Sequence, residues 1–383
     1  MNAEQSVTNT RPVSPSLLAI VNFAADNGTE RMISSVLQGL SSHLHVLLLS
    51  AQKTGVFFAA LQQHVCTVGR LRLHRKSGAF WINAALIYLR LLIHRPAILM
   101  VFNYQWGLPA GAALRWMPRG LRPQQAVLVH HISVAAVTSN TELKRMCCYF
   151  PYFSNHIVPS YSLCAELAAT VPTIHKQTLQ AIHNGLDLEA VRKSSRKFVP
   201  FVSVQTCRWH CVYVGGLRSD KRVDRLLRCF SRLPEKENTL LTLVGDGEER
   251  QTLEKLAETL GIRNRCQFVG HQQNPYPYIA GADLLVQATD WETFGLSLLE
   301  SMALKTAVLA MKGHSQGLLD VVHDKVNGRL VEHDDEDGFI TAWSELLQKK
   351  DMRDVLVARG YDDAANFTVE KMIAAYRNLL GLQ

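Results

Sequence analysis

Several features that would settle a protein's class outright are missing from this chain of 383 residues. Its eight cysteines (Cys66, Cys147, Cys148, Cys164, Cys207, Cys211, Cys229 and Cys266) include no Cys-x-x-Cys pair and no regular spacing. That excludes a disulfide framework and fits reduced, mostly buried thiols of a cytosolic protein. The opening residues, MNAEQSVTNTRPVSPS, lack a basic start followed by an apolar core and a small-residue cleavage site, so no signal peptide is expected. The longest run free of Asp, Glu, Lys, Arg and His, PAILMVFNYQWGLPAGAAL at 96–114, is interrupted by Pro, Asn, Gln and Gly. It reads as a strand, a turn and a helix start, not as a membrane span. The expected location is cytoplasmic, at most peripheral on the inner face of the cytoplasmic membrane. Internal repeats and low-complexity tracts are absent too.

Acid is scarce in the first half. Residues 1–200 hold 19 Lys+Arg against 7 Asp+Glu, and the remainder 22 against 26. A basic half suits an anionic partner such as phospholipid, lipopolysaccharide or nucleic acid, although a solvated surface explains it as well. Nucleic acid is disfavoured, because no recognition module and no aromatic stacking pattern is present. The segment RLRLHRKSG (70–78) and the apolar FWINAALIYLRLLIHR after it suit an anionic membrane, or a basic loop leading to a helix packed on a sheet.

What is present is a globular composition, 47% hydrophobic and 19% charged, in a chain long enough for two domains. Short apolar runs alternate with helical patterns. LLAIVNFA, HVLLLS, AILMVF and AVLVHH read as strands, and ERMISSVLQGL carries Met32, Ile33, Val36, Leu37 and Leu40 on one helical face. After the charge-rich break VRKSSRKFVPF (191–201), a second series runs through HCVYVGG, TLLTLVGDG, CQFVG, DLLVQAT and AVLAM as strands, with LSLLESMALK and GLLDVV as helices. Strands alternating with helices predict two doubly wound, Rossmann-like α/β domains, whose ligands sit beyond the carboxyl ends of the strands.

The stretch DWETFGLSLLE (290–300) follows one such strand. Glu292 is expected in the loop before a helix that starts near Gly295, and Glu300 more than one turn inside it. The two carboxylates would contact different parts of one ligand. A carboxylate is a good acceptor for the paired hydroxyls of a sugar or ribose, and the helix-start N–H groups between them suit phosphate.

This E-x7-E arrangement resembles the signature of retaining glycosyltransferases of the GT-B fold, in particular glycosyltransferase family four. Further matches are VYVGGLRSDKRVDRLL, LTLVGDGEERQTLEKLAETLGIRNRCQFVG, GLLDVV and DKVNGRLV, with IVPSYSLCAEL and AIHNGLDLE upstream. NGTER and the VHH strand end match more weakly. The resemblance implies two Rossmann-like domains facing a central cleft: a tail (1–16), an acceptor-binding domain (17–190), a linker (191–200), a nucleotide-sugar domain (201–365) and a C-terminal helix (366–383) packing back on the first domain. It implies that Glu292 holds donor sugar hydroxyls and Glu300 the ribose. Lys221 would neutralise the departing diphosphate, aided by amides around Phe294, Gly295 and Leu296. Gly215 and Gly216 form the nucleotide-binding turn. His131, with His130 as its competitor, would reach the sugar. Gly28 and Thr29 either cradle substrate or cap the first helix. In the retaining route the leaving phosphate takes the acceptor's proton, so neither glutamate is a nucleophile.

Two departures stand out. Gly216 replaces an Arg common in the family, with Arg218 or Arg222 as candidate substitutes, and Asp320 replaces a Glu. The loop HQQNP, with Gln272 and Asn274, offers amides instead of a carboxylate for a guanine edge, which favours UDP. DDED (334–337) precedes a helix and reads as capping, and CRWHC (207–211) as a buried strand, so neither is taken as a metal site. The expected protein is a metal-independent hexosyltransferase without cofactor, acting on lipopolysaccharide, O-antigen or another lipid-linked glycan. The alternatives are a non-catalytic nucleotide-sugar-binding subunit, or another GT-B enzyme such as an epimerase or a phosphorylase.

Overall fold

The computed structural model describes residues 16–23, 28–53, 56–71, 77–131, 140–196 and 207–382. The expected tail over 1–15, the basic loop over 72–76 and the linker from 197 on lie outside the described residues. The first strands and helices are β1 (Ser16–Phe23), α1 (Gly28–Ser41), β2 (His45–Lys53), α2 (Val56–Leu61), β3 (Cys66–Arg70), α3 (Ser77–His94), β4 (Ile98–Phe102), α4 (Tyr104–Trp116) and β5 (Gln125–Val129). They continue through α5 (Asn140–Tyr149), β6 (Asn155–Val158), α6 (Tyr161–Thr170), β7 (Leu179–Ala181) and α7 (Leu188–Ser195). The seven strands form one sheet in the order β3-β2-β1-β4-β5-β6-β7. β1 lies parallel to both β2 and β4, with Leu18 opposite Leu47 and Leu99. A strand covered on both faces must be apolar at every position, and all five residues of β4, ILMVF, are buried.

The second series is β8 (Trp209–Val214), α8 (Val223–Arg232), β9 (Thr239–Val244), α9 (Arg250–Thr259), β10 (Cys266–Gly270), α10 (Tyr276–Ala280), β11 (Leu284–Gln287), α11 (Leu296–Ala303) and β12 (Ala307–Met311). It closes with β13 (Arg329–Val331), α12 (Glu336–Gln348), α13 (Lys350–Ala364) and α14 (Val369–Leu380). The sheet order is β10-β9-β8-β11-β12-β13, again with parallel neighbours on both sides of β8. The strand order reverses between β8 and β11. In a doubly wound sheet this is where a crevice opens beyond the strand ends, so the loops after β8 and β11 are the ones placed to hold a ligand.

By contact density the described residues group into two compact units, one drawn from Met1–Val129, Cys148–His156 and Arg377–Gln383, the other from His130–Cys147 and Ile157–Tyr376. In the first, Arg377 donates to the Gly39 carbonyl at 3.0 Å, and the Gln125 amide reaches the Leu380 carbonyl at 3.5 Å. In the second, Trp343 packs between Phe230 and Phe339 and donates its indole N–H to Cys211 Sγ at 3.2 Å. CRWHC enters β8 at Trp209, where His210 is held by Thr242 at 2.8 Å and the Gly281 carbonyl at 3.1 Å. Asp335 caps α12 by accepting from the Gly338 N–H at 2.9 Å. GLLDVV, expected as a helix, is a single 3-10 turn over Gly317–Asp320, too short a segment to propagate α-helical bonds before the chain turns toward β13.

Candidate active site

The sequence makes the loops after β8 and β11 meet by backbone complementarity. The Asp290 N–H donates to the Asp220 carbonyl at 3.1 Å, and the Thr289 hydroxyl donates to the same oxygen. On the other side, the Gly215 N–H donates to the Val244 carbonyl, and Leu217 to Asp246, both at 3.0 Å. Gly245 has φ +146°, and a Cβ there would run into the Gly215 carbonyl. Only glycine allows that approach.

Glu292 and Lys221 stand where these loops meet. The Lys221 ammonium lies 3.1 Å from Glu292 Oε2, to which the Gln287 amide also donates at 2.9 Å. The Gly295 N–H donates to Oε1 at 3.0 Å, with the Phe294 N–H at 3.5 Å. Gly295 has φ +88° and turns the chain into α11, so Glu292 caps the positive end of that helix. Burial works to raise the Glu292 pKa, but the Lys221 charge and the two N–H donors prevail and hold it below the usual carboxylate range. The carboxylate is therefore ionised and oriented before any ligand arrives.

Glu300 lies inside α11, buried, as its spacing implies. Phe294 is buried and Leu296 half-buried at the helix start. Gly216 has room: a Cβ there would find its nearest neighbours at 3.6 Å on Arg218 and 3.9 Å on the Asp246 carbonyl. Neither candidate substitute for the absent Arg is idle. Arg218 makes a two-pronged pair with Asp220 at 2.8 Å, and Arg222 pairs with Asp224 and Asp290, each at 3.1 Å. The Gln272 amide donates to the Val269 carbonyl, and the Asn274 amide to Ser194, each at 2.9 Å. The His131 carbonyl accepts from the Thr293 hydroxyl at 3.2 Å, one residue from Glu292. Burial lowers the His131 pKa to about 3, so its imidazole is neutral at physiological pH. His130 is buried beside it, its N–H bonded to the Ile157 carbonyl. Gly28 and Thr29 begin α1 in the other unit.

Several members of the site carry no local sequence signal. Gln287 ends β11, and its bond to Glu292 follows from strand geometry alone. His183 donates to Asp320 at 2.8 Å, and the same oxygen takes the Tyr161 N–H at 2.8 Å, so the Asp that departs from the family's Glu anchors the start of α6. His183 also packs against Phe294, with ring centroids 5.7 Å apart. Among the described residues one trio, Asp290, His314 and His333, has possible metal-ligating atoms within 4.8 Å of one another. Asp290 already pairs with Arg222 at 3.1 Å and buried Arg225 at 2.9 Å, so a cation would meet two fixed guanidinium groups there.

Comparison with known proteins places this geometry. Residues 203–363 match the family described as "Glycosyl transferases group 1". A lipopolysaccharide core biosynthesis glycosyltransferase, LpsE of Rhizobium meliloti (strain 1021), is 35% identical over 168 residues, 44% of this chain and 48% of that protein. An N-acetylgalactosamine-N,N'-diacetylbacillosaminyl-diphospho-undecaprenol 4-alpha-N-acetylgalactosaminyltransferase of Campylobacter jejuni is 25% identical over 210 residues, 55% of each chain. The chain thus spans about half the length of these curated relatives. Across 96% of its length it superposes on 99% of Anabaena HepE, solved with UDP and glucose, with a TM-score of 0.81 at 17% identity. Two parallel-sheet α/β domains give this chain the GT-B fold, and its segment 203–363, which carries the switch-point loop with E-x7-E, matches the glycosyl transferases group 1 family.

Proposed function

We propose that the protein is a retaining, metal-independent glycosyltransferase that moves a sugar from a UDP-sugar to a lipopolysaccharide or other lipid-linked glycan presented at the cytoplasmic face of a membrane. The observation that carries this reading is the Lys221–Glu292 pair at the amino end of α11, with Glu300 inside the same helix. Glu292 accepts donor-sugar hydroxyls and Glu300 those of the ribose. Lys221 turns from Glu292 to the diphosphate, where its charge and the N–H groups of Phe294, Gly295 and Leu296 stabilise the negative oxygen that develops as the glycosidic bond breaks. The acceptor hydroxyl attacks from the leaving-group face and its proton passes to the departing phosphate, so no glutamate forms a covalent bond. Neutral His131 serves as a hydrogen-bonding partner of the sugar and adds no charge. Gln272 and Asn274 lie beside the base, and the absence of a carboxylate there favours uracil over guanine. HepE, of the same fold, was solved with UDP and glucose, which supports the donor class. The names of LpsE and of the undecaprenol-linked transferase support the acceptor class.

The test is calorimetric titration of UDP, GDP and ADP into the metal-free protein, repeated with Lys221→Ala and Glu300→Ala. UDP binding lost in both variants supports the site, and the anomeric configuration of the product, read by NMR, tests retention. A second reading, a nucleotide-sugar-binding subunit without turnover, is favoured by one observation: Arg218 and Arg222 are both engaged by carboxylates, so neither fills the place left by Gly216. UDP binding with no transfer to any lipid-linked acceptor would select it.

A further inference from the structure

Helix α8 carries an arginine where its neighbours are core. Val223, Leu226, Leu227, Cys229 and Phe230 are all buried, and Arg225, one turn before Cys229 on the same face, is only 2% exposed. An arginine is almost never buried this far unless it is paired. Its Nη2 lies 2.9 Å from Asp290 Oδ1 and 2.8 Å from Asp334 Oδ1, and its Nη1 donates to Met311 Sδ at 3.3 Å. Met311 ends β12, Asp290 stands just past β11 and Asp334 just past β13. One guanidinium therefore ties the carboxyl ends of three neighbouring strands to a helix of the core.

Burying an ion pair does little for stability by itself, since apolar residues of similar volume fill the space as well. The arrangement is better suited to fixing a position, and the residue it fixes is Asp290. The Asp290 carboxylate also accepts from Arg222 Nη1 at 3.1 Å and lies 3.3 Å from His333 Nε2. Its N–H donates to the Asp220 carbonyl at 3.1 Å, and its own carbonyl accepts from the His314 N–H at 2.7 Å. Burial works against the charge of Asp290, but the Arg222 and Arg225 guanidinium groups prevail and hold its carboxyl below the usual carboxylate range. Asp220 and Arg222 bracket Lys221, and Arg222 has φ +47°, a left-handed conformation that a non-glycine residue keeps only when its surroundings hold it there. On the other side, the Trp291 carbonyl accepts from Lys221 Nζ at 3.4 Å, and Glu292 follows directly. Asp290 thus governs Lys221 through its two neighbours and Glu292 through the chain. We propose that Arg225 is a positioning residue which, through Asp290, holds Lys221 and Glu292 in register for a nucleotide-sugar donor.

This deepens the proposed transferase function and rests on that reading for the identity of the ligand. UDP is titrated into the wild type and into Arg225→Met, Arg225→Lys and Asp290→Asn. Backbone hydrogen exchange over 290–296 is followed by mass spectrometry in the same proteins without ligand. Arg225→Met should bind UDP about tenfold more weakly and exchange that segment about tenfold faster. Arg225→Lys keeps a charge beside the carboxylates and should recover part of both. Leu227→Ala, which truncates a fully buried neighbour on α8, is the control: it should lower the urea midpoint yet leave UDP affinity and loop exchange as in the wild type. An equal loss of affinity in Leu227→Ala would reduce Arg225 to a structural role and overturn the inference. Should Arg225→Met not fold, Asp290→Asn keeps the shape, removes the charge and carries the same expectation. Loop exchange equal to that of the wild type in either variant overturns the inference, as does undiminished UDP affinity. If the wild type itself binds no UDP, the transferase reading fails, and the exchange measurement still decides this one.

Discussion

Replacing Lys221 by Met separates the electrostatic work of the site from its shape. The side chains of Lys221 and Glu292 are 19% and 15% exposed, and their charged atoms lie 3.1 Å apart. Breaking a buried pair from one side costs about 3–5 kcal/mol, because the remaining charge is stranded. Here Gln287 and the Gly295 N–H continue to serve the carboxylate, at 2.9 and 3.0 Å, and the pair is not fully dry. The expected loss is therefore nearer ~2 kcal/mol at neutral pH. Urea unfolding of wild type, Lys221→Met, Glu292→Gln and the double variant forms a cycle, with an expected coupling of about 1–2 kcal/mol.

The pH dependence of that loss supplies its signature. In the wild type the Glu292 carboxyl titrates below its ordinary 4.5, so the stability it contributes is complete above that value and is lost as pH falls through the folded-state pKa. Lys221→Met removes the largest influence that holds the pKa down and leaves burial to push it up. The variant's deficit must then be greatest near neutrality and shrink on acidification, as Glu292 takes up a proton. Single-variant losses that add to within about 0.3 kcal/mol, or a deficit that grows toward acid, would refute the pairing.

Gly216→Arg should leave stability within about 0.5 kcal/mol of wild type, since the nearest atoms to a new Cβ are 3.6 Å away, and should tighten UDP binding about tenfold in calorimetry by supplying a phosphate cation. Unchanged affinity would mean that this position does not face the diphosphate. Gly245→Ala, in contrast, should cost about 3 kcal/mol in urea unfolding, because the new methyl meets the Gly215 carbonyl at φ +146°; a loss under about 1 kcal/mol would show that the two loops separate easily. Burial lowers His131 to about 3 and His156 to about 4, against 6.5 in the unfolded chain. Both are neutral when folded, so stability should fall as pH drops below 6.5, by about 2 kcal/mol for each between pH 7 and 5. His131→Gln and His156→Gln should each flatten that slope, and an unaltered slope would assign the acid sensitivity elsewhere.

How much of this was legible in the sequence depends on the range over which each feature is encoded. The alternation of apolar runs with 3.6-residue periodicity is local, and it located β1, β4, β8 and α14, whose bounds coincide with VEKMIAAYRNLL. The E-x7-E spacing is also local, and it placed Glu292 before α11 and Glu300 inside it. Partnership is not local. Glu292 meets Lys221 across 71 positions because the strand order reverses between β8 and β11, and His183 meets Asp320 across 137. Nothing near either residue announces the other. Helix α3 fails for a different reason: when every face of a helix is apolar, periodicity does not say which face the sheet covers. Only the packed structure shows that the uncovered one carries Trp81, Leu89 and Ile93. The two kinds of omission share a cause, since a sequence states what each residue prefers while a site or a surface is defined by which residues the topology leaves facing one another or facing nothing.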